Sequence, residues 1–215
     1  MLKNIAIVLS GCGVFDGSEI HEAVITLNAV ESLGATAHFF APDKAQFHCI
    51  DHSTMEEVNQ LRNVLIESAR ISRGNCKNLD SFDAKNFDAL IFVGGFGAAK
   101  NLSDFAFKGA DCTVDEDVAH AILQMLEAKK PMGFICISPC LAAKVISNKV
   151  KLTIGNDAGT AKALEDLGAT HINCEVDSFV EDEIFKVFST PAYMLAKNTV
   201  ELSGGINAMM KAIIS

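Results

Sequence analysis

Apolar residues along this chain follow two rhythms. Short unbroken runs read as strands buried on both faces, and runs at three- and four-residue spacing read as helices. Ile5-Ala-Ile-Val-Leu9 is the first unbroken run, ended by Ser10-Gly-Cys-Gly13. Asp16-Gly-Ser-Glu19 has capping-box spacing and predicts a helix from about Gly17 to Leu33, stopped at Gly34. In that helix Ile20, Ala23, Val24 and Leu27 form the main apolar stripe. Glu22 falls on a second apolar side, among Ile25, Ala29 and Leu33. Thr36 to Ala41 is the second strand, closed by Pro42-Asp43. Residues 43 to 87 then break the rhythm, with a polar helical segment near Met55 to Arg70 and few large apolar residues. They read as an insertion between core elements rather than a second domain.

The rhythm resumes at Asp88 to Val93, a third buried strand ended by Gly94-Gly-Phe-Gly97. Val114 to Ala128 is helical, and Met132 to Cys136 is the fourth strand. A helix follows at once from Ser138-Pro139, where an early proline costs no hydrogen bond. Val150 to Ile154 reads as a strand, Ala158 to Leu167 as a helix, and Cys174 to Phe188 as an antiparallel hairpin. Thr190-Pro191 opens a last helix. Strands alternating with helices predict one α/β domain over 1–215, with a mostly parallel sheet between helical layers. Sites in such sheets lie beyond the carboxyl ends of the strands. Three such ends carry Gly or Cys: 10–17, 94–98 and 136–140.

Composition narrows the picture. Apolar residues make up 49 % of the 215 positions, which excludes disorder. The net charge is -9 and the cations are scattered, so neither nucleic acid nor an anionic membrane is an expected partner. Seven cysteines, an odd number with no zinc-type CxxC pair, argue against a disulfide framework or structural zinc. Reduced thiols in the cytoplasm are the expectation. Leu9-Ser-Gly-Cys12 imitates a lipoprotein cleavage box, but the apolar stretch before it is too short for a signal core.

Cys136 is the first candidate for chemistry. A strand turning sharply into a helix exposes a side chain and aims a helix N-terminus at it. That end favours a thiolate, the nucleophilic form. A buried structural cysteine gives the same pattern. The backbone of Gly94 and Gly95, with the N–H of Ile137, is placed to form an oxyanion hole, or an ordinary tight turn. Glu22 is a half-buried carboxylate suited to proton transfer, or a surface acid at a helix start, while Glu19 reads as the capping-box partner. Cys140, one turn after Cys136, is a candidate resolving thiol or plain helix packing. Gly11 to Gly17 imitates a dinucleotide loop, but its spacing is wrong and its acids would face a pyrophosphate. Histidines 21, 38, 48, 52, 120 and 171 make no metal spacing.

Six strings stand out together: Ser10-Gly-Cys-Gly, Asp16-Gly-Ser-Glu-Ile-His-Glu22, Ala41-Pro-Asp-Lys44, Arg62 to Arg70, Gly94 to Leu102 and Thr190-Pro-Ala-Tyr-Met194. Taken together they resemble the ElbB family of DJ/PfpI-type proteins. The resemblance spans about residue 3 to 213 and includes the 43–87 insertion. It implies a flavodoxin-like three-layer sandwich of the class I glutamine amidotransferase-like superfamily. It implies Cys136 as the elbow cysteine and Glu22 as the glutamate that contacts it. It also implies a glyoxalase that needs no glutathione or cofactor, acting on a small dicarbonyl substrate, and a homodimer. Many relatives carry a histidine near the cysteine where this chain has Gly155, which speaks against an amidotransferase-type triad. His21 and Tyr193 are candidate accessory residues in its place. A cysteine-based redox sensor is the alternative function.

Overall fold

The computed structural model describes residues 2–215. β1 (Asn4–Val8) leads into α1 (Ile20–Ser32) and β2 (Thr36–Ala41). β3 (Ile50–Asp51) and β4 (Glu56–Glu57) form a small hairpin, followed by α2 (Val64–Ile71) and β5 (Cys76–Asn78). Next come β6 (Ala89–Phe92), α3 (Phe96–Lys100), α4 (Phe105–Lys108) and α5 (Glu116–Glu127). β7 (Met132–Ile135), α6 (Pro139–Ile146), β8 (Lys151–Leu152), α7 (Ala158–Asp166) and β9 (Thr170–His171) follow. β10 (Val180–Asp182), β11 (Val187–Thr190) and α8 (Thr199–Ile214) close the chain.

The central sheet has seven strands in the order β10-β11-β7-β6-β1-β2-β5. Every pairing is parallel except β10 with β11. Ile5 to Leu9 are fully buried because both faces of β1 are covered. One face packs against α1 and α8, through Ala23, Val30, Ile206 and Met209. The other packs against α5, α6 and α7, through Val118, Ile122, Leu141 and Leu164. This is the expected three-layer α/β sandwich, and it brings the C-terminal ends of β1, β6 and β7 side by side.

Several elements depart from the sequence pattern. Helix α1 starts at Ile20 with Glu19 as its cap, whose side chain accepts from the Glu22 amide at 2.7 Å. Asp16 instead accepts from the Ile50 amide at 2.7 Å, a contact across 34 residues that local spacing does not show. The buried face of α1 carries Glu22, Ala23, Thr26, Ala29 and Val30, while Ile20 and Val24 are exposed. Met55 to Arg70 is not one helix: α2 begins after its Asn63 cap. The 43–87 stretch also supplies β5, at one edge of the central sheet. β8 lies outside the central sheet and pairs with β9. The final helix starts at Thr199 under an Asn198 cap, because Pro191 leads into a tight turn over Ala192–Met194.

Candidate active site

Cys136 stands at the end of β7 with φ 62°, a left-handed conformation that costs an L-residue energy. The surroundings hold it there. Its amide donates to Thr190 O at 3.0 Å on the neighbouring strand. Ser138 Oγ donates to Phe92 O at 3.0 Å and accepts from the Ile135 amide at 2.8 Å, tying the turn to the end of β6. Ser138 therefore uses its side chain to brace the elbow rather than to cap α6. Its role was legible only as a helix start, since the partner lies 46 residues away.

Glu22 reaches the same point from the first turn of α1. It is fully buried, and its Oε1 accepts from the Tyr193 amide at 3.4 Å. A Cβ built on Gly94 would lie 2.4 Å from Cys136 Cβ and 2.4 Å from Glu22 Oε2. No side chain fits there, so glycine is what lets thiol and carboxyl meet. Among the described residues Glu22 Oε2 has no aligned hydrogen-bond partner, yet the thiol is near enough to draw down the carboxyl's pKa. The contact is close but not yet aligned, as is common before a substrate binds.

Burial governs the electrostatics. It pushes the Glu22 carboxyl up to about 8, with the Glu19 charge adding to the rise. The nearby Cys136 thiol and the Tyr193 and Gly94 amides pull partly the other way. Burial also raises the Cys136 thiol well above its ordinary value, with the Glu22 charge second. The expected lowering by the helix end is thus overturned: desolvation and a neighbouring acid outweigh it. The amides of Gly95 and Ile137 face the sulfur and favour its anion. The Gly94 amide faces Glu22 instead, so the backbone donors divide between the two groups.

The accessory residues divide as well. Tyr193 Oη lies 3.2 Å from His21 Nδ1, which in turn is 3.3 Å from Glu19 Oε1, forming a polar chain at the rim. Cys140 is not with Cys136. It is buried in the core on the other face of the sheet, its thiol pushed up to about 12 by burial and then by Cys112. That placement does not serve a resolving thiol. At Gly155 φ is 98°, and a Cβ would meet Leu195 Cγ at 2.8 Å. Leucine fills the space a histidine side chain would need.

No protein-family model matches the chain. A rat protein, "ES1 protein homolog, mitochondrial", is 47 % identical over 98 % of this chain and 82 % of its own length. A human glutamine amidotransferase-like class 1 domain-containing protein 3, also mitochondrial, is 45 % identical over the same shares. The chain belongs to the ES1 family of glutamine amidotransferase-like class 1 domain proteins. The crystal structure of an isoprenoid biosynthesis protein with amidotransferase-like domain from Ehrlichia chaffeensis matches this ES1-family chain with TM-score 0.91. Identity is 34 %, and 98 % of each chain is covered. A ThiJ/PfpI domain protein from Brachyspira murdochii shares the fold, with TM-score 0.60 at 13 % identity over 99 % of this chain and 95 % of its own. The flavodoxin-like, DJ/PfpI-type fold expected from the resemblance is therefore present. The cytoplasmic location is corrected: the rat and human relatives are mitochondrial proteins, and reduced thiols alone do not single out the cytoplasm.

Proposed function

We propose that this ES1-family protein is a glutathione-independent glyoxalase of ElbB type, converting glyoxal or a similar small dicarbonyl to a 2-hydroxy acid. The supporting observation is the buried meeting of Cys136 and Glu22 around Gly94. Glu22, with its pKa near 8, can gain and lose a proton close to neutral pH, as a general acid–base should.

Glu22 as carboxylate takes the thiol proton while the sulfur adds to one aldehyde carbon. It returns that proton to the new oxyanion, giving a hemithioacetal. The Gly95 and Ile137 amides, beside the sulfur, favour the negative charge that develops there. Glu22 then removes the hydrogen from the sulfur-bearing carbon, and an enediolate forms. Reprotonation at the adjacent carbon leaves a thioester. Water hydrolyses it, releasing the hydroxy acid and restoring the thiol; the net change is addition of one water. No cofactor enters the scheme.

The test is glyoxal consumption with product identification for wild type and Cys136→Ala. Wild type should form glycolate, and the variant should form none. Glycolate formation that survives in the variant would rule the scheme out. The redox-sensor alternative calls for an accessible thiol with a lowered pKa. Cys136 is buried and its thiol is raised, so no observation favours that reading.

A further inference from the structure

Glu19 touches the candidate site at three points, and the scheme above uses none of them. Its amide donates to Gly94 O at 3.0 Å. Its Oε2 accepts from the Glu22 amide at 2.7 Å. Its Oε1 faces His21 Nδ1 at 3.3 Å. The side chain is 10 % exposed, so its charge is poorly screened by water. The glycine turn is pressed against it: a Cβ on Gly95 would lie 2.4 Å from Glu19 N.

We propose that Glu19 is a positioning residue of the Cys136–Glu22 pair. It clips the start of α1 to the Gly94 turn and sets a second negative charge against Glu22, so that Glu22 at rest keeps its proton beside the thiol. A helix cap needs only an acceptor, and Ser, Thr, Asp or Asn serve best there. A glutamate in that place, one turn before a fully buried acid, adds a like charge to the acid's surroundings.

The groups facing Glu22 come from four elements. They are Glu19 at the cap of α1, Cys136 on the β7–α6 elbow, Tyr193 on the turn before α8, and the neutral Gly94 amide after β6. His21 stands one step removed, against Glu19 and Tyr193. Of these, only Glu19 brings a second carboxylate. A like charge raises an acid's pKa, so removing it lets Glu22 ionise at lower pH. The first deprotonation belongs to the pair rather than to either residue. It is read by how fast Cys136 is alkylated as pH rises, since a Glu22 carboxylate can then draw the thiol proton.

The inference rests on the Cys136–Glu22 pair being the reactive unit, and the experiment separates the two claims. Iodoacetamide labelling of Cys136 is followed against pH in wild type, Glu19→Gln, Glu19→Asp and Glu22→Gln, with no dicarbonyl present. Glu19→Gln keeps an acceptor for the Glu22 amide, so thermal unfolding should stay close to wild type. Its labelling midpoint should fall by about one pH unit. Glu19→Asp keeps the charge, and its midpoint should stay with wild type. An unmoved Glu19→Gln midpoint, with Glu22→Gln altered, overturns the role of Glu19 alone. Equal shifts in Gln and Asp variants overturn the role of charge. Profiles unmoved in both Glu19→Gln and Glu22→Gln overturn the pair itself, and this inference with it.

Discussion

Leu195 occupies the space beside Gly155: a Cβ there would lie 2.8 Å from Leu195 Cγ and 3.0 Å from Cδ1, on a backbone with φ 98°. The absent histidine is therefore a built feature of this chain and not a position that a substitution could simply refill. Gly155→His should lower stability by about 3 kcal/mol, combining left-handed strain with overpacking. It should bring no amide hydrolysis. Denaturant unfolding and an amidase assay check both. Adding Leu195→Ala should recover part of the lost stability.

Glu22 should make stability depend on pH. Its folded pKa, about 8, lies above its ordinary value of 4.5, so the folded state holds a proton that the unfolded state has already released. The stability from that proton is fully present below about 4.5 and is lost as pH rises through about 8. Between those values Glu22 alone contributes a downward slope of about 1.4 kcal/mol per pH unit. The slope should vanish in Glu22→Gln. Chemical denaturation at several pH values, compared between the two proteins, isolates it.

Ser138 should matter without touching substrate. Ser138→Ala leaves the Ile135 amide and the Phe92 carbonyl without their buried partner. A loss of about 1–3 kcal/mol is expected. Because the same bonds hold the Cys136 turn, Cys136 labelling should slow in the variant even under conditions where it is fully folded. Circular dichroism with a labelling rate separates the two effects.

How much of this was legible beforehand differs from residue to residue. Met132 to Ile135 is a buried run followed by Cys and Ser-Pro, and these local signals place the elbow correctly. The sandwich follows from the same alternation of runs. Asp16 and Glu19 both suit the start of α1, and a tertiary bond from the Ile50 amide to Asp16 decides between them. Val150 to Ile154 looks more strand-like than Cys76–Asn78, yet only the latter joins the central sheet, through pairing with β2. The buried face of α1 differs from its most apolar stripe for a related reason. Glu22 and Thr26 are buried among the apolar residues, whereas Ile20 and Val24 lie exposed, so hydropathy alone points the wrong way. The Cys136 thiol shows the widest gap. Its helix end is visible in sequence, but its burial beside Glu22 is not, and burial wins.

The central claim is that Cys136 and Glu22 together move a proton between the two carbons of a dicarbonyl. Turnover of glyoxal in heavy water, with the glycolate examined by proton NMR, tests it most directly. The account predicts glycolate carrying solvent deuterium at its hydroxymethyl carbon, because the migrating hydrogen passes through an exchangeable Glu22 carboxyl. It predicts no product from Cys136→Ala or Glu22→Gln. Glycolate free of deuterium would indicate direct hydride transfer between the carbons, and no glycolate from wild type would remove the glyoxalase reading; either result contradicts the account.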